Sequence, residues 1–98
     1  MILGFDNDVT TAFNSATSAT LSAGTAAAGT QYMSGVDCKT AAGRIAAAYT
    51  AAQLGNMNSI GANTSVVVTL TPVGATTAGV VVVTLRYLQT VQLNQGIL

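Results

Sequence analysis

A chain of 98 residues has room for a single hydrophobic core, and three cations balanced by three carboxylates provide no basic stripe for nucleic acid or an anionic membrane surface. His and Glu are absent, so the usual general bases near neutral pH are missing, and one Cys without His excludes a zinc site in the single chain. Charged residues make up 6% of the chain against about 25% in a typical globular protein, which leaves a surface of Thr, Ser, Asn, Gln, Gly and Ala with little protection against association.

The first segment, Met1-Ile2-Leu3-Gly4-Phe5, runs directly into Asp6 and Asp8 without a basic flank, which is not the pattern of a secretory signal. Asp6 or Asp8 reads as a helix N-cap. Phe5, Val9, Phe13, Ala16 and Thr20 or Leu21 then recur at spacings of three and four, the signature of one helix face. The Ala/Ser/Thr/Gly stretch that follows offers little side-chain bulk, and Gly24 and Gly29 fit close packing or a break. The same bias over residues 10–30 also fits disorder.

A second helix is expected to open at Asp37, with Cys38, Ala42, Ile45, Tyr49 and Ala52 forming its apolar stripe and Lys39, Thr50 and Gln53 falling on the opposite face. Leu54-Gly55-Asn56 is the expected stop, Gly55 taking the left-handed position, and Met57 to Asn63 the loop beyond. Cys38 reads as a small buried hydrophobe, with pairing between chains as the alternative, and Asn63-Thr64-Ser65 fits a glycosylation acceptor.

Two runs of β-branched residues follow, Ser65 to Thr71 and Val80 to Tyr87, separated by Pro72 to Gly79. They read as an antiparallel hairpin. Val66, Val68 and Leu70 share a face on the first strand, as do Val81, Val83, Leu85 and Tyr87 on the second; neither the shared nor the opposite face is polar enough to stay wet. A two-stranded ribbon is marginal alone, so other chains are expected to cover it, and these seven residues are the candidate interface. The tail from Leu88 places Val91 and Leu93 among Gln, Thr and Asn, either extending the second strand or reaching a neighbour as an arm.

The expected fold is therefore α+β: one domain over residues 1–98, with small-residue-rich helices in 6–55 and a β-hairpin in 64–94, completed by oligomerisation. Ala41-Ala42-Gly43-Arg44-Ile45-Ala46-Ala47-Ala48, an Asn/Gly loop, and the strands Val66 to Pro72 and Val80 to Tyr87 together resemble the tail of TadE/TadG-like pseudopilins, which implies a pilus-associated role. From composition and patterning, the expected function is a non-enzymatic structural subunit of a symmetric assembly, such as a virion coat or minor capsid protein or an extracellular filament subunit. Its partners would be copies of itself and other structural proteins, with no cofactor, no metal and no direct nucleic acid; membrane contact is possible but not indicated. The alternative to both is a small soluble module that adds a partner's strand to the hairpin edge.

Overall fold

The computed structural model describes residues 1–61 and 63–89. Its order is β1 (Ile2–Thr11), β2 (Ser18–Gly24), β3 (Met33–Asp37), β4 (Gly43–Ile45), α1 (Ala51–Asn58), β5 (Val67–Val73) and β6 (Val80–Tyr87). The strands form two three-stranded antiparallel sheets, ordered β4-β1-β6 and β3-β2-β5. Asn7 of β1 donates through Nδ2 to Met33 Sδ of β3 at 3.6 Å, and Phe5, Val9, Leu21, Met33 and Val36 belong to one core cluster, so the sheets face each other as a sandwich.

The expected N-terminal helices are replaced by strands. In β1, Phe5 and Val9 are buried as expected of a helical stripe, but a spacing of four is even and puts both on one face of a strand equally well; buried Asn7 lies between them on that face. Asp6 and Asp8 cap nothing and point from the outer face of β1. The stretch that also fitted disorder contains β2, where Ala19, Leu21 and Ala23 are buried and Ser18, Thr20 and Ser22 alternate with them as half-buried residues.

The second expected helix is likewise absent where it was placed. Asp37 ends β3, and its carboxylate accepts from Lys39 N and Thr40 N at 2.8 and 3.2 Å and from the Thr40 hydroxyl, turning the chain instead of starting a helix. Residues 43–45 form β4, so the Ala-rich segment that carries part of the pilin resemblance contains a short strand and no helix. The helix starts at Thr50, whose hydroxyl accepts from Gln53 N at 3.1 Å while Gln53 Oε1 accepts from Thr50 N at 3.0 Å, a reciprocal capping box. Gly55 lies inside α1, which runs through to Asn58 and into part of the expected loop.

β6 has the expected bounds and β5 is shifted two residues along the chain. The hairpin, however, is splayed: β6 pairs with β1 and β5 with β2, in different sheets. The connection between β5 and β6 is held to the connection between β1 and β2. Asn14 Oδ1 accepts from Thr77 N and Ala78 N at 2.9 and 3.1 Å, Asn14 N donates to Ala78 O at 3.2 Å, and the Ser15 and Thr76 hydroxyls share a 2.7 Å bond. The β1/β6 ribbon thus folds over the β2/β5 ribbon at one stitched corner. The expected β region continued to residue 94; Thr90 to Asn94 lie outside the described residues.

Candidate interaction surface

The two sides of the sandwich are finished differently. On one side β3 and β4 are joined by a five-residue connection, and α1 sits where β4 stops short. Gln53 of α1 donates to Thr30 O and Ser34 Oγ at 3.0 and 3.2 Å, Asn56 donates to Gln31 O at 3.1 Å, and Met57 is buried. Phe5, beyond the reach of β4, donates its backbone N–H to Tyr49 Oη at 2.9 Å. That side is closed by helix and side chain.

The other side carries β5 and β6, with no further strand beyond either among the described residues. Opposite buried Phe5, Asn7 and Val9 stand Leu85, Val83 and Val81; opposite buried Ala19, Leu21 and Ala23 stand Pro72, Leu70 and Val68. Register therefore turns these residues of β5 and β6 inward. Their burial nevertheless fails: Val68 is 38% exposed although its partner Ala23 is fully buried, and Leu70, Val81, Val83 and Leu85 are only partly covered. The cause is topological, because each lies on a strand that has no further strand on its far side among the described residues. The result is an apolar mouth along the flank of the sandwich, widening at one end into a groove of about 750 Å³ lined by Ile2, Ile60, Thr64, Val66, Leu85 and Tyr87.

All seven residues picked out in the sequence as a candidate interface belong to this region. Val68, Leu70, Val81, Val83 and Leu85 line the inward faces, Val66 precedes β5 in the groove, and Tyr87, opposite Ile2, is 61% exposed at the end of β6. The opposite row of β6 was not singled out, yet Val80 and Val82 are each about half exposed on the outer face. Ile60 and Ile2 were also missed, since nothing local in the sequence brings a loop and the first strand to the same groove.

The charged residues lie elsewhere. Asp6 bridges Arg44 Nη2 and Arg86 Nε at 3.0 Å each, across all three strands of the first sheet on its outer face. Asp37 is held below the usual carboxylate range, first by the Thr40 hydroxyl and then by the Lys39 and Thr40 amides. Cys38 is fully buried, and burial, followed by the neighbouring Asp37 carboxylate, pushes its thiol up, away from the reactive thiolate. Among the described residues no three His, Cys, Asp or Glu side chains gather in a way that could hold a metal ion, and no helix is long and apolar enough to cross a membrane. No family model, curated protein or solved structure matches the chain.

Proposed function

We propose that the chain is a non-enzymatic structural subunit that assembles with copies of itself, as a virion coat or minor capsid component or as the subunit of an extracellular filament. The observation that carries this reading is the mouth between β5 and β6, where inward-facing aliphatic side chains stay half exposed beside two strand edges that pair with no strand among the described residues. An apolar, nearly uncharged edge seven or eight residues long is the kind of surface that monomeric proteins blunt with Lys, Pro or a covering loop. Here Pro72 and Arg86 alone act in that sense on the two strands.

Magnitudes favour repeated contacts over a single one. Completing the burial of five half-covered aliphatic side chains gives about 1 kcal/mol each, and each new inter-strand hydrogen bond about 1 kcal/mol net. Association costs about 4–15 kcal/mol in lost translation and rotation, so one such contact is modest and a closed or repeating set is stable.

Light scattering over a concentration series, with negative-stain imaging of the same sample, tests the proposal. Rings, shells or filaments are the expected outcome, and Val83→Lys, which puts a charge in the mouth, should dissolve them while outward-facing Thr84→Lys does not. A chain that stays monomeric at every concentration overturns the reading.

A further inference from the structure

Resting on that reading, we infer that copies also stack end to end, the loop between β5 and β6 of one copy seating in the apolar grooves at the far end of the next. The strands fix which residues share an end. In the β1/β6 pair Ile2 lies beside Tyr87 at one end of the sandwich, and Thr11 beside Val80 at the other. Val73, the last residue of β5, pairs with Ser18 at that second end. Nine large apolar residues are exposed among the described residues, and seven of them sit at the two ends. Met1, Leu3, Leu54, Tyr87 and Leu88 are at the first end, Val73 and Val80 at the second.

The two ends differ in form. At the first, the groove of about 750 Å³ is joined by a second of about 440 Å³ between Leu3 of β1 and Leu54 and Met57 of α1, and Met1, Ile2 and Asn58 border both. No charged side chain among the described residues lines either groove. The second end is a loop of small residues, Gly74 to Gly79, with Ala75 and Ala78 exposed between exposed Val73 and Val80. Bonds from Asn14 and Ser15 and the Phe13 ring on Gly79 hold that loop in one shape, so it loses little freedom on docking. They engage its backbone and hydroxyls and leave the two alanines outside.

Area decides what kind of contact this is. A half-exposed side chain of this size carries about 80 Å² of apolar surface, so covering the seven removes about 550 Å². With the loop alanines and a polar rim the contact reaches about 1,000 Å², short of the about 1,600 Å² typical of a stable pair. An end contact is therefore weak alone and holds where the mouth contact binds the same copies. Because the apposed ends are different surfaces, the contact is head-to-tail and repeats along the strand direction. The 10 residues of β1, at about 3.3 Å each, set that repeat at about 35 Å.

The test uses the full chain with Ala75→Asp in the loop or Leu54→Asp at the far end, both exposed positions outside the mouth, beside Thr84→Lys as the control. Each Asp variant should stay folded by circular dichroism and need about tenfold more protein than the unaltered chain to scatter light as particles. Thr84→Lys should assemble normally, and stained particles of the unaltered chain should repeat at about 35 Å. Cross-linking reads the contact directly, because Cys38 is buried and stays silent. An Ala75→Cys chain mixed with a Leu54→Cys chain should be joined one to one by a short bis-maleimide, and neither should join to itself. The cross-link introduces no charge, so it decides the question if an Asp variant fails to fold. Asp variants that assemble like the unaltered chain, a mixture without the cross-link, or an Ala75→Cys chain that joins to itself would each overturn this inference and leave the assembly reading standing. An unaltered chain that stays monomeric at every concentration overturns both.

Discussion

The Phe13 ring occupies the space where a side chain at Gly79 would stand: a Cβ there would lie 2.2 Å from Phe13 Cδ2, with Gly79 at φ +150°. Phe13 leaves the end of β1 and Gly79 leads into β6, so this contact closes the corner at which one ribbon folds over the other. Gly79→Ala must both strain the backbone and displace a buried ring, and the expected loss is about 3 kcal/mol. Denaturant unfolding checks it. Because the clash is specific to the ring, Gly79→Ala combined with Phe13→Ala should cost at least about 1 kcal/mol less than the sum of the two single changes.

Gln53 has two tasks, and they can be separated. Its backbone N–H and Oε1 complete the capping box with Thr50, while its buried Nε2 satisfies Thr30 O and Ser34 Oγ, which ties α1 to the start of β3. Thr50→Ala removes only the cap and should cost about 1 kcal/mol. Gln53→Ala also removes the part-buried donor to Thr30 O and Ser34 Oγ, so its cost should be larger, about 2 kcal/mol. Equal losses would mean that the ties to Thr30 and Ser34 contribute nothing.

What the sequence made legible follows from where its periodicities were unambiguous. Val80 to Tyr87 is a run of β-branched and aromatic residues whose bounds match β6. The candidate interface was legible for the same reason, since alternation along a strand sorts side chains by face without knowing the partner strand. Phe5, Val9 and Phe13 misled because steps of four satisfy a strand as readily as a helix. The tie-breaker was in the sequence: Ser18-Ala19-Thr20-Leu21-Ser22-Ala23 alternates strictly between hydroxyl and apolar residues, a period of two written in small side chains. The capping chemistry at Asp37 was real but served a turn, because a carboxylate accepting from nearby amides is common to both settings. The splaying of β5 from β6 was beyond local reading. It depends on Asn14, Ser15 and Phe13 meeting residues more than sixty positions away.

Asp37 makes the turn between β3 and β4 pH-sensitive. Hydrogen bonds from the Thr40 hydroxyl and from the Lys39 and Thr40 amides favour the carboxylate, so its folded pKa lies below its unfolded one. The unfolded chain therefore takes up the proton first as pH falls. The stabilisation is fully present above the unfolded value, about 3.9, and is lost as pH drops through the folded one. Amide exchange at Lys39 and Thr40 should accelerate in that acid range relative to the β1/β6 ladder. Asp37→Ala should show the accelerated exchange already at neutral pH and no further acid step at these two amides.

Asp6 should contribute to stability in a manner that depends on salt. Its two carboxylate oxygens each hold a guanidinium at 3.0 Å, but the Arg44 and Arg86 side chains are 74% and 53% exposed, so neither pair is worth more than about 0.5 kcal/mol. Asp6→Asn should therefore cost about 1 kcal/mol at low ionic strength and less than half of that at about 1 M salt, where the screening length falls to about 3 Å. It also removes the carboxylate that bridges the two guanidiniums, leaving Asp8, the register partner of Arg44, as the one carboxylate of β1 on that outer face. Arg86 lies on the edge strand β6, so the freed charge sits beside the mouth, and at low salt it should oppose the approach of a second Arg86 from a neighbouring copy. Assembly of Asp6→Asn should consequently be weaker than that of the unaltered chain at low salt and equal to it at high salt, measured by light scattering at matched concentrations. Equal assembly at both ionic strengths would show that neighbouring copies do not bring their Arg86 side chains within a screening length of each other.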